Sequence, residues 1–121
     1  MEKVTLILGA SPNPDRFVFK AIRILQRRNM PIIAIGRRDV DLGNLKIRKG
    51  MPQDVGIVHT ISLYMNAKNQ KEYYNYILSL HPERIIFNPG TTNPELADMA
   101  RKEGIEAIDD CMVYMLQTGK F

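Results

Sequence analysis

Five short apolar runs punctuate the chain, and longer amphipathic or polar stretches separate them. Residues 4–9 (VTLILG) and 31–36 (PIIAIG) each close on a glycine; 55–61 (VGIVHTI), 84–88 (RIIFN) and 105–108 (IEAI) follow. Runs this short, β-branched and bounded by turn residues predict strands buried on both faces. Between the first two, Phe17, Val18, Ala21, Ile22 and Leu25 fall on one face of a helix. Asn13-Pro14-Asp15 offers an N-cap, a proline at N1 and a first-turn acid, so that helix is expected to run from there to about Asn29. Residues 66–80 predict a second helix with Ala67, Tyr74, Ile77 and Leu78 inward. Asn93-Pro94-Glu95 opens a third in the manner of the first, with Leu96, Ala97 and Ala100 inward and Gly104 at C′. Asp109 or Asp110 suits the cap of a last helix, Cys111 to Leu116, stopped at Gly119. The charged loop from Arg37 to about Asp54 holds at most a short edge strand at Leu45-Lys46-Ile47.

Strands alternating with helices at short spacing predict an α/β domain spanning residues 1–121, with a five-stranded parallel sheet covered by helices on both faces. Right-handed crossovers favour the strand order 3-2-1-4-5. The order then reverses between strands one and four, and the loops after Gly9 and Asn88 flank the crevice where open α/β sheets bind ligands.

Composition narrows the partners. Hydrophobic residues are 45% and charged residues 25% of the chain, ordinary for a globular domain of 121 residues. The single cysteine, Cys111, excludes an intrachain disulfide, and with no secretion signal it points to a reducing cytoplasm. The apolar run at residues 4–8 is too short for a signal peptide, and no stretch reaches a membrane span. A net charge of +4 suits an anionic ligand. Nucleic acid is not expected as a partner: the basic residues are scattered, and the Tyr73-Tyr74-Asn75-Tyr76 cluster has only Lys68 and Lys71 nearby.

Two helix starts, at Asn13 and Asn93, would aim free N–H groups and positive dipole ends at the crevice, which makes an anion site. The first turn is not a dinucleotide fingerprint, because Ser11 and Pro14 stand where its second and third glycines would be. Gly9 itself is expected to keep the path of a pyrophosphate clear. After the second strand, Gly36-Arg37-Arg38 replaces the acid that would take ribose hydroxyls, and two arginines suit a ribose phosphate. Asn88-Pro89-Gly90-Thr91 could add backbone and hydroxyl donors. Catalytic groups are sparse. His59 sits in a strand, His81 precedes a proline, Ser11 lacks a nucleophile elbow, and Cys111 reads as a buried, inert thiol. Nothing has metal-ligand spacing.

The run Gly9-Ala10-Ser11-Pro12-Asn13-Pro14-Asp15-Arg16, the strand ending Ile35-Gly36, the turn Asn88-Pro89-Gly90-Thr91 and the ending Gly104 to Cys111 together resemble the small stand-alone CoA-binding proteins. These are similar to the CoA-binding domain of the succinyl-CoA synthetase α subunit, with a Rossmann-like fold. The resemblance spans nearly the whole chain. It departs at Gly36-Arg37-Arg38, where the family often has Asn-Pro or Ser-Pro, and at Ile86 to Gly90, where Trp-x-Gln-x-Gly is common. It implies coenzyme A or an acyl-CoA as ligand. The contacts it implies are Gly9, Ala10, Ser11, Pro12, Asn13 and Arg16; Gly36, Arg37 and Arg38; and Asn88, Pro89, Gly90 and Thr91. No catalytic residue or metal is expected. The expected role is binding, sensing or carrying for a partner acyl-CoA enzyme. An NAD(P)-binding oxidoreductase or redox sensor, and an acyl-CoA enzyme using Cys111 or His59, are the other readings.

Overall fold

A computed structural model describes residues 3–121. Seven strands form one sheet: β1 (Thr5–Ala10), β2 (Ile32–Gly36), β3 (Val40–Asp41), β4 (Lys46–Arg48), β5 (Thr60–Leu63), β6 (Arg84–Phe87) and β7 (Glu106–Asp109). Their order is β3-β4-β2-β1-β5-β6-β7. Every neighbouring pair is parallel except the β3–β4 ribbon at the edge. The expected α/β, Rossmann-like, mostly parallel architecture is present. The five-strand count and the order 3-2-1-4-5 are corrected.

The error has one physical source. The Lys46–Arg48 segment, read as an incidental edge piece, is the third parallel strand. Ala34 and Ile35 of β2 pair with its Ile47 and Arg48. It hides in the sequence because only Ile47 of its three residues is buried. The run at 55–61, by contrast, is mostly not a strand. Gly56 takes a positive φ of 70°, Ile57 is 89% exposed, and pairing begins only at Thr60, beside Thr5 of β1. Without β3, the six parallel strands follow the Rossmann order 3-2-1-4-5-6, and the reversal lies between β1 and β5. The Asn88 turn is one strand further out.

Alternation along the strands divides the core between two faces. Leu6, Leu8, Ile85 and Phe87 point to α3 (Tyr74–Ser79) and α4 (Pro94–Lys102), against Ile77, Leu96 and Ala100. Ile7, Ala10 and Ile86 point to α1 (Phe17–Arg27) and α5 (Met112–Gln117), against Ile22, Leu25 and Met115.

The helices differ from expectation at their starts. Asn13 does not cap α1: its Oδ1 accepts from the Asp15 N–H at 3.0 Å, and Ser11 Oγ accepts from the Asn13 N–H at 3.1 Å. These local turns spend the side chains before the helix begins, so α1 opens at Phe17 with Arg16 as a cap residue that makes no side-chain bond. Phe17, expected inward, is 51% exposed. The helix expected over 66–80 is broken into α2 (Ala67–Gln70), a 3-10 turn at Lys71–Tyr73, and α3. Gln70 and Tyr76 are buried there rather than Ala67 and Tyr74. Asn93 caps α4 as expected, its side chain accepting from the Leu96 N–H at 3.1 Å. The start of α5 takes its bond from Asn88, whose Oδ1 accepts from the Met112 N–H at 2.8 Å, while Asp110 reaches only the Cys111 N–H.

Candidate functional site

The carboxyl ends of β2, β1, β5 and β6 open into one cavity of about 700 Å³. Its floor depends on close backbone approach. A Cβ on Gly36 would overlap the Ala10 carbonyl oxygen and stand 2.8 Å from Ile47 Cγ2. Gly9 has a φ of 102°, and a Cβ there would sit 2.9 Å from the Tyr64 carbonyl carbon and 3.2 Å from the Met65 N–H nitrogen. Gly9 therefore lets β1 turn against the end of β5. The expectation that it clears the path of a ligand is corrected, because backbone already fills that space.

Three kinds of donor surround the floor. The turn after β1 brings Ser11, Pro12 and Arg16, with Phe17 and Val18 from the first turn of α1. That helix start has no side-chain cap: the Phe19 N–H is taken by the Arg16 carbonyl at 3.0 Å, and no side chain takes the amides of Phe17 and Val18, which border the cavity. The end of β2 brings Gly36, Arg37 and Arg38, the arginines being exposed at the rim. The turn after β6 brings Pro89, Gly90 and Thr91.

Of the residues expected here, Gly9, Ala10, Ser11, Pro12, Arg16, Gly36, Arg37, Arg38, Pro89, Gly90 and Thr91 border the cavity. Two, Asn13 and Asn88, do not border it. Asn13 is exposed and turned into its own loop. Asn88 is only 1% exposed; its Nδ2 donates to Ser62 Oγ and the Leu63 carbonyl at 2.8 and 2.9 Å. It works behind the wall, tying β5, β6 and α5 together. The helix start at Asn93 is capped by its own side chain, and Asn93 is buried and does not border the cavity.

The sequence reading missed the whole β5 side of the cavity: Tyr64, Met65, Asn66, Asn69, Glu72 and Tyr73. Had the third apolar run been ended at Leu63, the rule that ligands sit beyond carboxyl strand ends would have pointed to them. This wall is fixed from behind by Gln70, fully buried, whose Nε2 donates to the Met65 and Thr91 carbonyls at 2.9 and 2.8 Å. Asn93 Nδ2 returns a bond to Gln70 Oε1 at 2.9 Å. Burial pushes the Tyr64 phenol well above its usual range, so it stays protonated. Ser62 is its polar neighbour, but no group stands at hydrogen-bonding geometry to its hydroxyl.

Neither reactive candidate from the sequence borders the cavity. Cys111 is half-buried beside Tyr64, behind the wall. His59 lies at the opposite, amino end of β5, with Nδ1 2.7 Å from Thr60 Oγ1. Among the described residues no group of three His, Cys, Asp or Glu could hold a metal ion, and no helix is long and apolar enough to cross a membrane.

A family model described as a CoA binding domain matches residues 3–117. The chain belongs to this CoA-binding family. Membership supports a CoA-binding role for the domain. A crystal structure of an uncharacterized protein superposes with a TM-score of 0.93 at 41% identity, covering 100% of this chain and 99% of the other. A protein from Thermus thermophilus matches with a TM-score of 0.85 at 16% identity, over 99% and 91% of the two chains. A hypothetical protein from Pyrococcus horikoshii OT3 matches at 0.84 and 20%, over 97% and 82%. The last two share the fold. No curated protein matches the chain.

Proposed function

We propose that the domain holds coenzyme A or an acyl-CoA in this cavity, as a binding, sensor or carrier protein of a reducing cytoplasm rather than as a catalyst. The observation that carries the reading is the start of α1. It is left without a side-chain cap, Phe17 and Val18 of its first turn border the cavity, and Arg16, Arg37 and Arg38 line the same space. Unmatched amides and arginines are the donor set that an anionic pyrophosphate and a phosphomonoester require. In this reading Ser11, Arg16 and the backbone of Phe17 and Val18 take the pyrophosphate, and Arg37 and Arg38 take the ribose phosphate. The pantetheine arm then runs toward Tyr64, Asn69 and Tyr73. A non-catalytic role fits the position of Cys111 and His59 outside the cavity, and the protonated Tyr64 is no base.

The Rossmann strand order favours one second reading, a dinucleotide with a ribose phosphate, which is NADP. Thermal unfolding with CoA, dephospho-CoA, NADP and NAD separates the two. CoA at about 100 times its Kd should stabilise the domain by roughly 2.7 kcal/mol. Stabilisation by NADP with none from millimolar CoA would overturn the proposal.

A further inference from the structure

The exposed face of α1 carries a charge pattern that the cavity does not use. Residues 16–28 contain Arg16, Lys20, Arg23, Arg27 and Arg28 and no acid. The chain's net charge is +4, so the rest of the molecule nets one negative charge. Lys20, Arg23 and Arg27 are spaced three and four apart, which places them in a sector about 60° wide over about 10 Å of helix. Arg16 continues the row at the N-cap. All four are exposed, and among the described residues none forms a salt bridge. Like charges at these spacings repel along a helix, offset only in part by the ring contacts of Lys20 and Arg23 and by Arg27 in the last turn.

We infer that this row is a docking surface for an acidic protein partner, an exposed helix or segment whose carboxylates repeat at matching intervals. Two observations select a protein among polyanions. The row is mostly arginine with aromatic flanks, the composition that protein interfaces favour over lysine. Lys20 Nζ lies 6.0 Å from the Phe17 ring centre and the Arg23 guanidinium 5.1 Å from that of Phe19. The apolar face of α1, Val18, Ala21, Ile22 and Leu25, is buried in the core, so the helix has no apolar side to sink into a bilayer. The row leads to the cavity, since Arg16 and Phe17 border both. A partner docked on it stands at the cavity mouth. The inference rests on the row and holds whatever the cavity binds.

The test uses a synthetic helical peptide whose glutamates repeat at spacings of three and four, and a control of identical composition with the glutamates scrambled. Binding is read by fluorescence anisotropy at low ionic strength. The patterned peptide should bind, weaken as salt rises, and bind about tenfold less to Lys20→Gln/Arg23→Gln/Arg27→Gln. Arg23→Lys/Arg27→Lys, which keeps the charges, should retain most of the affinity. Because these side chains are exposed and lie outside the cavity, the triple variant should melt close to wild type. Equal binding of the scrambled peptide, or unchanged binding by the triple variant, would overturn the inference. So would a triple variant that melts well below wild type, which would make the row part of the fold. Tighter binding of a single-stranded RNA or of phosphatidylserine vesicles through the same residues would overturn it as well.

Discussion

Arg37 and Arg38 carry the proposal that is sharpest at the scale of single residues. CoA differs from dephospho-CoA by one ribose phosphate, and a charge-assisted bond to it contributes about 1.5–3 kcal/mol, toward the low end at an exposed rim. Wild type is expected to prefer CoA by about tenfold, and Arg37→Ala with Arg38→Ala to remove most of that preference while leaving dephospho-CoA binding nearly unchanged. Titration calorimetry of both ligands on both proteins isolates the contact; a double variant that keeps the preference refutes it. Gly9→Val should cost about 2–4 kcal/mol of stability in urea unfolding, from left-handed backbone strain and the collision with Tyr64. Cys111→Ser should leave CoA affinity within about twofold, as expected for a thiol behind the wall, and a CoA-protected, fast-alkylating thiol would contradict that. His59 gives a pH dependence. Burial first, then Arg84 and Lys3, lower its pKa from 6.5, so the fold favours the neutral ring. The unfolded chain binds the proton more readily, and stability should fall as pH drops through about 6.5 and below. His59→Gln should flatten that slope in pH-dependent melting.

At the scale of elements, the cavity is an arrangement of strand ends, and Gln70 sets how two of them meet. Gln70→Ala would remove the donor to the Met65 and Thr91 carbonyls and leave the Asn93 amide with only the Tyr74 hydroxyl as acceptor. Loss of at least about 2 kcal/mol is expected, with weaker CoA binding because the β5 and β6 turns lose their mutual spacing. Gln70→Glu keeps the acceptor for Asn93 and removes both donated bonds, so it should weaken binding nearly as much. Full affinity in both variants, measured by calorimetry, would show that the wall holds without Gln70. The elements were unevenly legible. β1, β2, β6 and α4 stand where apolar runs and the Asn-Pro-Glu cap place them, because their side chains alone satisfy the local rules; α5 stands where expected too, but Asn88 rather than the expected aspartate holds its start. The start of α1 was misread because Asn13 has the composition of an N-cap, yet its side chain closes a turn two residues on. β4 was underrated because pairing with β2, and not its own three side chains, makes it a strand.

For the whole molecule, sheet order decides which loops meet, and that is where sequence and structure part. Alternating apolar runs, right-handed crossovers and the turn Gly9 to Arg16 were enough to determine an α/β Rossmann-like domain, its family resemblance and most of one side of the cavity. Local patterns can do this because strand burial, helix faces and glycine turns are encoded within a few residues of each other. The position of β5 beside β1 was not encoded that way. It depends on β4 filling the far side of β2 and on the chain then crossing to the other side of β1. Those long-range pairings brought Tyr64 to Tyr73 to the cavity, moved Asn88 behind the wall, and left Cys111 and His59 away from it. The amino-acid sequence determined what the strands and turns are made of. Only the tertiary structure decided which of their ends face each other, because strand pairing joins residues distant in the chain.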